Sequence, residues 1–404
     1  MLGLARVYGE EGKYPEAETI ARQTLNIRRR LLGSENLETE ASMDELAIVL
    51  DCEGKYPEAA ALYTESLAIS RRRLGLEHPE TLDTLGNLAL VYYEQGKYTQ
   101  SELLAKQILE IRRRILGLDH PDTLSSMSNL AEIYGRQGKY AEAEALTMES
   151  WKIRRRKLGS ENPDTLSSMS NVAEIYCHQG KYAQAEALGK QTLEIRRRTL
   201  SPEHPDILTS MNNLAEVYGL QGQYAQAEAL FNQTLEIRRR VLGAEHPDTL
   251  VTLSGLATIY QRQAKYDLAE PLFSQVLAER RHALGSGHPD TMDSAYLLAL
   301  ANQSRGKFSD AEPLAREVLD FYRKEQSDDW QRFRSESLLG ASLAGQKIFT
   351  EAEPLLLEGY RGMLARKDRI AVPDRYYINL AREWIAQFCR VSSKQKKIAA
   401  CDSN

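Results

Sequence analysis

Long hydrophobic runs are missing from this chain of 404 residues. No stretch approaches the roughly 20 apolar residues that cross a bilayer, and Met1 to Gly12 has neither a basic n-region nor a long apolar h-region. The expectation is a cytoplasmic protein with no membrane partner. Cysteine is scarce: Cys52, Cys177, Cys389 and Cys401 stand apart with no Cys-x-x-Cys pair, which is neither a disulfide framework nor a zinc spacing. They read as small core or surface residues. A charge excess of one sign is lacking too. The 52 basic and 57 acidic residues leave a net −5, so no global field draws nucleic acid.

Catalytic signatures are equally absent. The chain has no Gly-x-x-x-x-Gly-Lys-Ser/Thr loop, no nucleophile elbow and no kinase signature set. Its Asp and Glu residues follow the repeat, as a solvated surface does. No enzyme, catalytic residue, cofactor or metal is expected.

What is present is repetition with a period of 42 residues. Gly-Lys-Tyr stands at Gly12, Gly54, Gly96, Gly138 and Gly180, then returns as Gly222-Gln223-Tyr224, Ala264-Lys265-Tyr266 and Gly306-Lys307-Phe308. A less regular turn follows from Gly345 to Phe349. Each unit carries two apolar stripes at helical spacing, for example Leu85, Leu88, Ala89 and Tyr92 in a helix A, and Ala227, Leu230, Phe231 and Thr234 in a helix B. Glycine between them can take the left-handed conformation that ends one helix before the next begins. Between hairpins runs Leu-Gly-x-Glu/Asp-His-Pro-Asp-Thr, in which proline presets the first helical turn and aspartate complements the helix dipole. Pro79, Pro121, Pro163, Pro205, Pro247 and Pro289 all mark such starts, and Asn162 replaces histidine as the cap.

Hairpins this small bury both faces only by stacking. The spacing Met211-x-x-Leu214-Ala215-x-x-Tyr218, followed by Ala227-x-x-x-Phe231, resembles the tetratricopeptide pattern. The longer unit, with Asn-Leu-Ala in helix A, Gly-Lys-Tyr at the turn and Leu-Gly-x-x-His-Pro-Asp after helix B, resembles the repeat of kinesin light chains. The resemblance implies an all-α fold, a right-handed α-α superhelix (a tetratricopeptide solenoid) of about eight helical hairpins plus C-terminal capping helices. Residues 1–325 form the array, its first repeat truncated because Gly3 is in register with Asn87. Residues 326–404 form a degenerate last repeat and a cap, with one long helix expected from Pro373 to about Lys397. The stretch from Glu353 to Arg375 resembles the tail of bacterial kinase-linked arrays.

His120, His204, His246 and His288 recur with the connector and read as helix starts, too far apart to share a metal ion. Arginine triplets such as Arg112 to Arg114 and Arg196 to Arg198 close each helix B, where cations suit the dipole and where Glu110, Glu194 and Glu236 precede an arginine by four residues. The alternative for these triplets is a basic ridge that meets an acidic partner or nucleic acid, a reading that the balancing acidic residues weaken.

The face of helix A opposite its apolar stripe carries Asp83, Asn87, Leu90 and Glu94 in one unit. Successive units place there Ser125, Asn129, Glu132 and Arg136, then Ser167, Asn171, Glu174 and His178, then Thr209, Asn213, Glu216 and Leu220. Asparagine is a mediocre helix former, yet it persists through four units, and its carboxamide can both donate to and accept from a peptide backbone. In peptide-binding tetratricopeptide proteins an asparagine at the matching position holds the ligand main chain, so the resemblance implies a groove of Asn87, Asn129, Asn171 and Asn213. Glu132, Arg136, Glu174, His178 and Glu216 would flank it. The residues one turn earlier are not basic, which argues against acidic chaperone tails as ligands.

The function expected is a non-catalytic scaffold that binds a protein or peptide in the concave groove. The alternatives are the sensor or adaptor arm of a larger signalling protein, linked to a kinase or nucleotide switch, and a motor light-chain-like adaptor. The truncated start, with Leu2, Leu4 and Val7, is expected to fray or to mediate self-association.

Overall fold

The connectors close on themselves. His120, His204, His246 and His288 each accept the N–H of the aspartate two residues on at Nδ1, at 3.1–3.2 Å, so the ring proton sits on Nε2. Asn162 and Asn36 cap in the same way through Oδ1. The threonine of the connector reaches back: Thr39, Thr123 and Thr249 each donate to the carbonyl of the glycine six residues earlier, at 2.8 Å. Within a hairpin, Gly96 has φ of 70°. Its N–H bonds Tyr93 O, and the next N–H, of Lys97, bonds Tyr92 O, the paired bonds of a Schellman ending.

In this computed structural model the described residues are 7–8, 13–324 and 329–392. Among them lie eighteen α-helices and no strand. The chain divides into two compact units, Met1–Ser150 and Trp151–Asn404. The first holds α1 (Tyr14–Leu32), α2 (Leu37–Cys52), α3 (Tyr56–Arg73), α4 (Pro79–Glu94), α5 (Tyr98–Leu116) and α6 (Pro121–Arg136). The division falls within α7 (Tyr140–Leu158). The second holds α8 (Pro163–His178), α9 (Tyr182–Thr199), α10 (Pro205–Leu220), α11 (Tyr224–Val241), α12 (Pro247–Arg262), α13 (Tyr266–Leu284), α14 (Pro289–Ser304), α15 (Phe308–Lys324), α16 (Trp330–Gly345), α17 (Phe349–Ala365) and α18 (Tyr376–Ser392). Even-numbered helices up to α16 are the A helices and odd-numbered ones the B helices, which gives eight A–B pairs in sequence order.

The core of the first unit gathers Leu25, Met43, Leu46, Tyr63, Leu85, Leu88 and Ile108, drawn from every helix between α1 and α5. In the second unit Met211, Leu214, Phe231, Leu253, Leu256 and Val276 play the same part. Here the A helices also touch one another, α8 with α10 and α10 with α12, more extensively than the B helices do. The A side is therefore the inner side of that unit's curvature.

One expectation fails at the carboxyl end, and the less regular turn from Gly345 to Phe349 is present in altered form. The long helix from Pro373 is interrupted: Val372–Arg375 is a 3-10 turn, and α18 starts only at Tyr376. Buried Ile370 and Ala371 pin the chain just before this turn, and Asp374 N–H bonds Ala371 O in the tighter 3-10 manner. Of the polar stretch expected to cap this end, Ser392 is described and buried, while Ser393 to Lys397 lie outside the described residues. In the last hairpin the left-handed residue is Lys347, with φ of 67°, and Gly345 still belongs to α16. Gly345 serves packing instead, because a Cβ there would fall 2.3 Å from the Phe308 ring.

Candidate binding groove

The helix A residues singled out in the sequence all stay out of the core. In the first unit Asp83 and Asn129 are exposed and Asn87 half-buried. They line a cavity of about 440 Å³ with Leu90, Tyr93 and Glu132. Glu132 and Arg136 are joined there by a residue that sequence reasoning did not single out. The Tyr93 hydroxyl donates to Glu132 Oε1 at 2.8 Å and accepts from Arg136 Nε at 2.7 Å, and the guanidinium lies 5.5 Å from the Tyr93 ring centre. Burial raises the Tyr93 pKa above its ordinary value.

In the second unit Asn171, Glu174, Asn213 and Glu216 are exposed and His178 half-buried. His178 Nε2 approaches Glu174 Oε1 at 3.6 Å. A cavity of about 530 Å³ brings Glu174, His178, Asn213, Glu216 and Leu220 together with Arg262 from α12 and with Pro373 and Asp374 from the carboxyl end. Asn171 is not among its lining residues. Glu216 keeps exposed surface on this inner face, but the surrounding helices crowd its carboxylate and displace part of its water. That loss of solvation, with the Glu174 carboxylate near it, pushes its pKa up to about 7 despite a 2.9 Å hydrogen bond from Asn212. Cys177 beside them is held up at about 12 by burial and by Glu216 and Glu174, so it remains a thiol.

None of the four asparagine carboxamides has a hydrogen-bond partner among the described residues. Other conspicuous polar groups are used up inside the repeats. The turn lysine of Gly-Lys-Tyr clamps to a glutamate 37 residues earlier, as in Lys139 to Glu102 and Lys55 to Glu18, both at 2.7 Å. Burial works against the Glu102 carboxylate, but hydrogen bonds from Lys106 and Lys139 outweigh it and hold its pKa down to about 2.

Most arginines of the triplets are engaged inside the array. The first arginine turns inward: Arg196 and Arg238 are 4% and 3% exposed. Nη1 of Arg238 donates to Asp248 O at 2.8 Å and to Thr252 Oγ1 at 2.6 Å, ten and fourteen residues on. Arg28, Arg112, Arg196 and Arg280 repeat both contacts. The second arginine pairs with a glutamate 36 residues on where one is present, as in Arg29 with Glu65 and Arg113 with Glu149; for Arg155, Arg197 and Arg239 that position is Gln191, Gln233 and Gln275, and Arg155 lies 5.6 Å from the Trp151 ring centre instead. The third pairs with a glutamate 37 residues back, as in Arg114 with Glu77 and Arg240 with Glu203. This replaces the expected bond to a glutamate four residues earlier: Arg114 and Arg240 each reach into the preceding connector. The i, i+4 rule describes an isolated helix; stacking brings a carboxylate of the neighbouring unit closer.

Among the described residues no group of three or more His, Cys, Asp or Glu side chains is arranged to hold a metal ion, and no helix is long and apolar enough to cross a membrane. Leu2 and Leu4 lie outside the described residues, and Val7 is 46% exposed.

The tetratricopeptide repeat model matches residues 1–72, 52–114, 80–156, 164–240, 206–278 and 248–324. The chain belongs to the tetratricopeptide repeat family. Among solved structures it is similar to the nearly identical TPR-like repeats of a putative kinesin light chain from Podosopora anserina, at 34% identity over 51% of this chain and 98% of that one, with a TM-score of 0.41. It is similar to the apo form of the quorum sensor NprR from B. thuringiensis, at 15% identity over 89% of this chain and 99% of that one, TM-score 0.53. A Rap protein complexed with Competence and Sporulation Factor is 13% identical over 94% of this chain and 100% of its own, TM-score 0.50. At these identities the last two likenesses speak for the fold alone. No curated protein matches the sequence.

Proposed function

We propose that this protein is a non-catalytic scaffold that takes an extended peptide segment of a partner protein along the free face of its A helices. Asn87 and Asn129 hold the ligand main chain in the first unit, Asn171 and Asn213 in the second. The observation that carries this is the four carboxamides, left without a partner on a face where almost every other conspicuous polar group is engaged. An unpartnered asparagine in mid-helix costs helix propensity relative to alanine, and a carboxamide offers both a donor and an acceptor to a backbone. Neighbouring side chains, Leu90 and Glu132 in one unit and Glu174 and Glu216 in the other, then supply selectivity.

The test begins with a partner captured from native lysate on the tagged chain. Changing all four asparagines to alanine should leave helicity intact. If each supplies one useful hydrogen bond of about 0.5–1.5 kcal/mol, affinity should fall by about tenfold or more. Changing Arg113, Arg155 and Arg197 to alanine is the control and should leave affinity in place. The reverse result, with the arginine variant losing the partner and the asparagine variant keeping it, would move the site to the arginine edge.

A further inference from the structure

After α17 the chain does not run directly into its last helix. Ile370 and Ala371 are 0% and 5% exposed, and Ile370 packs with Met363, Ile378 and Ala381. From that anchor Val372–Arg375 reaches across to α8. Val372 rests on the turn that follows α8: a Cβ built on Gly180 would lie 2.9 Å from Val372 Cγ1. Only a bare glycine leaves that room. Pro373 and Asp374 then wall the cavity lined by Glu174, His178, Asn213 and Glu216. Burial raises the pKa of the Asp374 carboxylate, and the guanidinium groups of Arg334 and Arg262 act against it.

The hold on this segment is slight. Its backbone hydrogen bonds stay within itself, from Asp374 N–H and Arg375 N–H to Ala371 O at 2.9 and 3.2 Å. Arg375 Nε donates to Ile370 O at 3.1 Å. Among the described residues none of its backbone groups bonds to α8, α10 or α12, and Val372 keeps 37% of its surface exposed. One valine, one proline and one carboxylate therefore occupy the groove without hydrogen-bonding to the carboxamides that would hold a main chain. A ligand that makes the same side-chain contacts and adds backbone hydrogen bonds has the advantage.

We infer that Val372–Arg375 is a resident occupant of the second unit's groove, and that this groove takes partner segments of like chemistry by displacing it. The partner segment carries a β-branched aliphatic residue for the Gly180 turn and a carboxylate two residues later for the cations around Asp374. This rests on the groove function proposed above.

The probe is a fluorescein-labelled peptide with the sequence of residues 368–379, added to the full chain. The double variant V372S/D374A, in which the resident segment is weakened, should bind the probe about tenfold more tightly than the unaltered chain. A probe carrying the same two changes should bind neither. V372S alone should show a smaller gain of the same sign, which keeps the test decisive if the double variant loses its helical circular-dichroism spectrum. Equal binding by all chains, or binding by none, overturns the inference and makes the segment a fixed wall. The groove is judged separately by adding N171A/N213A to the double variant. A loss of probe binding supports both statements; unchanged binding keeps the displacement but removes the asparagines from the holding role.

Discussion

Two joints between hairpins show what the repeat needs and where it tolerates change. Between α11 and α12 the joint is filled by Arg238, whose guanidinium bonds a carbonyl and a hydroxyl of the next helix A. Between α3 and α4 the equivalent residue is Ser70, and no guanidinium is there. Ser70 and Ser66 instead donate to the buried carboxylate of Glu40, at 2.6 and 2.8 Å, and Thr84 donates to Asp44 at 2.9 Å. Asp44 Oδ1 is left buried without a partner. Burial, assisted by Glu40, pushes the Asp44 pKa up to about 6, although the hydrogen bond from Thr84 opposes it. One joint is a buried cation with acceptors and the other is a buried and a half-buried acid with hydroxyl donors. The position is therefore selected for filling the gap with matched polarity, and not for positive charge as such.

The largest effect should come from emptying the cationic joint. Arg238→Ala removes the guanidinium donor from Thr252 Oγ1 and from Asp248 O, which keeps only the Thr252 hydroxyl among side-chain donors, and opens a gap. It should cost about 2–4 kcal/mol, read as a lower denaturant midpoint and faster amide exchange in α11 and α12. A loss no greater than that of a surface substitution would mean the joint is held by its apolar neighbours alone.

The acidic joint should respond to pH in a defined direction. Asp44 titrates higher in the folded chain than in the unfolded one, so the folded state binds more protons between about pH 4 and 6 and stability falls as pH rises through that window. Asp44→Asn, which keeps an acceptor for Thr84, should therefore stabilise the first unit at pH 8 by about 1–3 kcal/mol. The gain should shrink as pH falls from 6 towards 4. A gain that is the same at pH 4 and pH 8 would show that packing, and not the charge, is responsible.

Smaller again is Tyr93→Phe, which removes the hydroxyl between Glu132 and Arg136 while keeping the ring against Arg136. It should cost about 0.5–1.5 kcal/mol, measurable as increased exchange in α4 and α6. The least effect is expected from Arg240→Ala. Its partner Glu203 is 2.5 Å away, but both side chains are largely exposed, and exposed pairs contribute little. A midpoint shift matching that of Arg238→Ala would erase the distinction between inward and outward arginines.

The sequence by itself determined each hairpin. Gly96 takes its left-handed turn, Pro121 opens α6 and Asn162 caps α8 because the reasons are local: a backbone angle, a missing N–H, a side chain two residues away. It also placed Asn87, Asn129, Asn171 and Asn213 off the core, since helical spacing alone assigns faces. Tertiary structure alone decided the partners. Arg112 pointing inward while Arg113 and Arg114 pair outward, the bridging role of Tyr93, and Val372 coming to rest against Gly180 all depend on the angle at which one hairpin stacks on the next. That angle arises from many small side-chain contacts, each compatible with the same period of 42 residues, so the period names the repeating parts while stacking settles which charges and surfaces meet.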